Sequence, residues 1–171
     1  LALVVLAVVN ILYGALVAMM QSDLRRVIAN SSISHMGYVI LGAAALTPMA
    51  LEGAVFQMFT HGTITGLLFI MVGLVYDRTH TRNIADLQGL APRMPFIAAT
   101  FVIASLASLG LPGMSGFVAE FLVFMGAWQS KHWWWALPGI VGAWVTAVYV
   151  LRAARDIFFG DGPRSDEIHH L

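Results

Sequence analysis

No cysteine occurs in this chain, so it forms no disulfide, offers no thiolate to a metal and holds no iron–sulfur cluster by itself. Charge is scarce as well: 11% of the residues are Asp, Glu, Lys or Arg, against about 25% in soluble domains. Nine basic and nine acidic residues cancel, and no basic run stands out, which argues against nucleic acid as a partner. A nucleophile elbow, a phosphate-binding glycine loop and carboxylates at metal-ligand spacing are all missing. There is no short-period repeat or low-complexity tract. Residue 1 is a leucine already inside an apolar run, with no basic leader segment and no Ala-x-Ala site. That start reads as a fragment boundary rather than a signal peptide.

What the chain has is oil-soluble surface. Of its 171 residues 59% are hydrophobic, and the mean hydropathy is +0.81. The lipid bilayer is therefore its expected surroundings. Five apolar blocks follow one another: 1–20, 27–46, 54–76, 95–129 and 133–151. Four of them match one bilayer thickness, about 20 residues each. The fourth, 35 residues long, would run about 52 Å as an unbroken helix, too long for one straight span and tight for two. Its Gly-Leu-Pro-Gly segment (110–113) resolves this, because proline removes a backbone donor and glycine admits positive φ. A helix broken at membrane depth is tolerated where it lines a protein-buried or watered cavity. The expected fold is an all-α polytopic transmembrane helix bundle of about five spans, one of them discontinuous. The bundle is expected to cover residues 1–160 as one unit, followed by a polar tail, 161–171.

Charge asymmetry supports five crossings. Arg25, Arg26, Arg78, Arg82, Arg93, Arg152, Arg155 and Arg164 then share one side, with Lys131 alone on the other. The positive-inside rule places that arginine side in the cytoplasm or its equivalent. Two full spans in block four would split the arginines and weaken the bias. Trp133, Trp134 and Trp135 beside Lys131 read as an aromatic belt at the outer interface.

Against this background one acid stands out. Glu120 has no charged neighbour in sequence between Arg93 and Lys131. An ionised side chain in the bilayer core costs about 2.5 kcal/mol or more, so an acid kept there is a functional candidate on a proton or ion path. On the second block Ser31 and His35 are four apart, as are Asn30 and Ser34; on the third, Gln57, His61 and Thr65 form one stripe at helical period. Imidazole has the unperturbed pKa nearest neutrality. Histidines, hydroxyls and water can pass a proton without a long stay of net charge in oil. The bland alternatives are that such a histidine bonds a neighbouring helix and that the small residues serve packing. Arg25 and Arg26 begin the second helix, where they reach the interface, or one turns inward and sets the charge of a relay group. His80, His132, His169 and His170 lie in flanks or tail and receive no role.

Four strings taken together resemble the antiporter-like, proton-translocating subunits of respiratory complex I (NADH–quinone oxidoreductase), of the M-chain or subunit 4 type. They are Ser-Asp-Leu-Arg-Arg-Val-Ile-Ala-Asn-Ser-Ser-Ile-Ser-His-Met-Gly (22–37), Gly-Ala-Val-Phe-Gln-Met-Phe-Thr-His-Gly (53–62), Tyr-Asp-Arg-Thr-His-Thr-Arg (76–82) and Leu-Gly-Leu-Pro-Gly-Met-Ser-Gly-Phe-Val-Ala-Glu-Phe (109–121). The resemblance implies two inverted five-helix repeats, each with a broken helix, of which this chain looks like the second. It implies that Glu120 is the acid of the broken helix, at the exit-side end of a relay, and that His35 and His61 are its intramembrane histidines. Arg25 stands where the family usually has lysine, able to modulate charge but poor at carrying a proton. Asn30 stands where tyrosine is common.

The function so implied is proton translocation coupled to electron transport in partner subunits. Those partners would be other membrane subunits of a complex I-like assembly, in a bacterial inner membrane or an organellar energy-coupling membrane. No cofactor is expected in this chain; flavin, iron–sulfur clusters and quinone belong to the partners. The alternatives are an Mrp-type cation/proton antiporter subunit, a membrane-bound hydrogenase subunit, and a purely structural membrane anchor.

Overall fold

The computed structural model describes residues 1–160; the expected polar tail, 161–171, lies outside the described residues. Among those described there are six α-helices and no strand. They are α1 (Ala2–Met19), α2 (Leu24–Ala45), α3 (Pro48–Thr79), α4 (Pro95–Ser108), α5 (Ser115–Trp128) and α6 (Ala136–Ala154). Short 3₁₀ turns cover Ile84–Asp86 and Trp133–Trp135, and a π turn, Arg155–Phe159, ends α6.

Local chemistry sets the helix ends. Asp23, in extended conformation, caps α2 by accepting from the Arg26 N–H (3.1 Å). Thr47 does the same for α3 through Ala50 N–H (3.3 Å), with Pro48 at the first helical position. That cap starts α3 six residues before the apolar block does, so α3 has 32 residues, about 48 Å, and outreaches a bilayer core of about 30 Å.

Four elements are long and apolar enough to cross a membrane: α1, α2, α3 and the stretch Trp133–Phe159 that contains α6. By contrast, α4 and α5 have 14 residues each, about 21 Å, and neither crosses alone. Backbone bonds show how they combine. Leu24 N–H donates to Arg82 O and Ile84 N–H to Ser22 O (both 2.9 Å), tying the start of α2 to the exit of α3. Leu90 and Ala91 N–H donate to Ile157 and Phe158 O (3.1 and 3.0 Å), tying the approach to α4 to the end of α6. At the opposite end the Thr47 hydroxyl donates to Gly126 O (2.9 Å), joining the start of α3 to the end of α5. The pair α4–α5 thus makes one interrupted passage and α6 returns, giving five passages. Seven arginines sit at one end, Lys131 at the other, and Arg164 is outside the described residues.

The break is built by its sequence. Gly110 (φ +74°) ends α4 in a Schellman arrangement, with Leu111 N–H on Leu106 O (3.2 Å) and Gly110 N–H on Ala107 O (3.4 Å). Pro112 and Gly113 (φ +98°) then occupy the middle of a turn closed by Met114 N–H on Leu111 O (3.0 Å), with the residue pattern of type II. α5 starts two residues later.

Small residues let the helices approach, as expected where lipid tails remove the hydrophobic drive between helices. α5 packs on α3 through Gly53 and Gly126, and α1 packs on α2 through Gly14 and Gly37. Large apolar side chains such as Leu3, Val9, Val55, Phe59 and Trp144 point outward. Of the three tryptophans expected in a belt, Trp133 and Trp134 are half exposed. Trp135 turns inward and stacks on His132, ring centroids 4.6 Å apart.

Candidate functional site

Three of the four residues singled out in the sequence meet at the break. His35 lies midway along α2, buried to 3% exposure, and Glu120 in the second turn of α5, at 6%. His35 Nδ1 stands 3.5 Å from Glu120 Oε1. That is ion-pair range but longer than the usual 2.7–3.2 Å hydrogen bond, and Nδ1 makes no other bond. On its other edge His35 Nε2 meets the Ser108 hydroxyl (3.3 Å) at the last residue of α4. His61, on α3, has its ring centroid 5.3 Å from that of His35, and Thr65 Oγ1 lies 3.2 Å from its Nδ1 and 3.3 Å from its Nε2.

His35, His61, Ser108 and Glu120 surround a cavity of about 10 Å³, also walled by Gln57, Thr60 and Gly116. A water needs about 10–15 Å³ of such space and two to four polar partners. One water fits, with Gln57 Oε1 a buried acceptor still lacking a donor. Thr65, His61, His35 and Glu120 thus follow one another as polar neighbours.

Arg25 is not part of it. It is exposed in the first turn of α2, ten residues and about 15 Å along the axis from His35. Asn30 is half-buried, and its amide donates to Arg26 O (2.9 Å), turned back along its own helix. Sequence reasoning missed Ser108, and it read Gly110 as part of the break without placing it against Glu120. The available signal was their position, since the last polar residue before a break and the glycine that makes it must both face whatever the break exposes. A methyl group on Gly110 would lie 2.8 Å from Glu120 Oε2. Gly110→Ala is therefore expected to displace the carboxylate as well as to strain the αL cap by about 1–2 kcal/mol. The strain should lower the thermal midpoint of the purified protein, which thermal unfolding measures.

Comparison with known proteins places this geometry. The membrane family described as NADH:quinone oxidoreductase/Mrp antiporter, TM, matches residues 1–146. The chain belongs to that family. It is an integral membrane protein of the antiporter-like kind. The NAD(P)H-quinone oxidoreductase chain 4 of Trichormus variabilis is 50% identical over 164 residues, covering 92% of this chain and 31% of that relative. Among solved structures, respiratory complex I from Thermus thermophilus with bound NADH superposes at TM-score 0.90 with 37% identity, over 94% of this chain and 34% of the matched chain. The Mrp complex from Dietzia sp. also reaches 0.90, with 28% identity over 94% of this chain and 30% of that one. The chain thus spans about a third of the length of the relatives it matches.

Proposed function

We propose that this chain is the proton-translocating part of an antiporter-like subunit in a complex I-type quinone oxidoreductase. The observation that carries the reading is the buried His35–Glu120 contact, set where the α4–α5 passage is interrupted. His61, His35 and Glu120 serve as successive proton stations, with Ser108 and Thr65 orienting the two imidazoles. Glu120 is the terminal acid. Arg25, at the membrane edge, contributes a fixed charge and carries no proton.

The cargo is a proton rather than a larger cation, since the cavity has room for one water and a single carboxylate faces it. The chain 4 relatives at 50% identity favour the quinone oxidoreductase over the Mrp reading, whose matched structure is 28% identical. Flavin, iron–sulfur clusters and quinone belong to partner subunits, and the assembly sits in a bacterial inner membrane or a related energy-coupling membrane. Residues 1–160 act as one bundle within a longer subunit. The test is the number of protons moved per electron once Glu120 is replaced by glutamine. A fall supports the reading; an unchanged ratio refutes it.

A further inference from the structure

His35 has no ring nitrogen left for His61. Its Nε2 meets the Ser108 hydroxyl (3.3 Å) and its Nδ1 faces Glu120 Oε1 (3.5 Å). His61 stands beside it, ring centroids 5.3 Å apart and planes tilted by 38°. Imidazoles placed in this way share no hydrogen bond, so a proton passing between them needs an intermediary. The cavity of about 10 Å³ that both rings border admits one water. A water bridges two groups only where further polar partners fix its orientation.

Which group holds it follows from what the other polar walls already do. The Thr60 hydroxyl donates to the backbone oxygen of Gln57 (3.3 Å). The Ser108 hydroxyl is engaged with His35, Glu120 Oε1 lies in ion-pair range of His35, and Thr65 meets His61 (3.2 Å). Gln57 remains. Its side chain is 3% exposed and borders the cavity, and its Oε1 has no hydrogen-bond donor. A buried carbonyl left in that condition costs stability, which an apolar side chain of the same volume would avoid. Gln57 lies one turn before His61 on α3, so the amide and the imidazole share one face of the helix. The remaining walls, Ile64, Ala107 and Gly116, add no polar side chain.

An amide suits this place better than an acid. A second carboxylate beside Glu120 would repel it, and the two would hold a proton between them. The amide keeps its acceptor at every pH and takes up no proton itself. It can therefore orient water without competing for the cargo.

We propose that Gln57 is a positioning residue of the relay, its Oε1 anchoring the water that joins His61 to the His35–Glu120 pair. The inference rests on the proton-relay reading and adds to it a residue that carries no proton yet sets the link between two that do.

Two replacements with opposite structural effects test it in the assembled complex. Gln57→Met keeps the length and bulk of the side chain and removes the amide. Its thermal midpoint should equal or exceed the parent's, since a buried acceptor is gone and no space is opened. Gln57→Ala removes the amide too, but leaves a polar-walled hole that takes in water, and its midpoint should fall. The rate of proton translocation should run the other way. Gln57→Met should slow it about tenfold or more, short of the 10²–10⁴ of a positioned acid–base group. Gln57→Ala should slow it less, because added water supplies the acceptor that the amide gave. The slowing caused by heavy water should grow in Gln57→Met, which a packing role would leave unchanged. Parent-like translocation in Gln57→Met overturns the proposal. So does translocation that follows the midpoints and is lowest in Gln57→Ala, the order that packing alone would give. Should Glu120→Gln pump normally, the relay itself fails. Should Glu120→Gln stop pumping while Gln57→Met pumps like the parent, the relay stands and only the role of Gln57 fails.

Discussion

Glu120→Gln should slow proton translocation through this subunit by about 10²-fold or more, the scale on which loss of a positioned acid–base group is felt. Electron transfer measured with an uncoupler present should stay at the parent level. Glutamine is the informative replacement because it keeps the side chain's volume and one carbonyl oxygen toward His35 Nδ1, so the packing of α5 on α3 is undisturbed. Alanine would open a cavity and confuse the outcome with a stability loss of about 2–5 kcal/mol, as in other large-to-small core changes. What glutamine lacks is the capacity to take up and release a proton. The acid is 6% exposed and has one imidazole in ion-pair range, so no neighbouring carboxylate in the cavity stands ready to replace it. Pumping in reconstituted vesicles, normalised to assembled complex, reads the effect.

Gly126→Val should act on assembly instead. The place its Cβ would occupy is already held by the backbone N and Cα and the Cβ of Ala50 on α3. A flexible side chain could swing aside from such an intruder; a helix backbone cannot. The same spot carries the bond from the Thr47 hydroxyl to Gly126 O, and Ala45, Ala50, Ala127 and Ala136 form a tight apolar cluster around it. Overpacking typically costs about 1–3 kcal/mol, and contact with main-chain atoms puts this site at about 3 kcal/mol. The purified complex should show a clearly lower thermal midpoint and a smaller assembled fraction after extraction. An unchanged midpoint would show that α3 and α5 do not meet there.

How much of this was readable beforehand follows from what each residue needs. The break was legible because Pro112 and the glycines around it have few other uses inside an apolar run. Glu120 was legible because nothing but function or a partner explains an acid in oil. The stripe Gln57–His61–Thr65 predicted one wettable face of α3, and the His61–Thr65 contact lies on it. Pairing across helices was another matter. That His35 would meet Ser108, 73 residues away, depends on how the end of α4 is aimed, and helical period carries no such information. The length of α3 was underestimated because its start is set by Thr47 and Pro48 rather than by hydropathy.

Infrared difference spectroscopy of the working complex tests the central claim most directly, since it sees a carboxyl group gain or lose its proton. Turnover should produce a carboxylic C=O band that vanishes in Glu120→Gln while all other bands persist. A difference spectrum identical in parent and variant would mean that this acid keeps one protonation state throughout, and the relay account would be wrong.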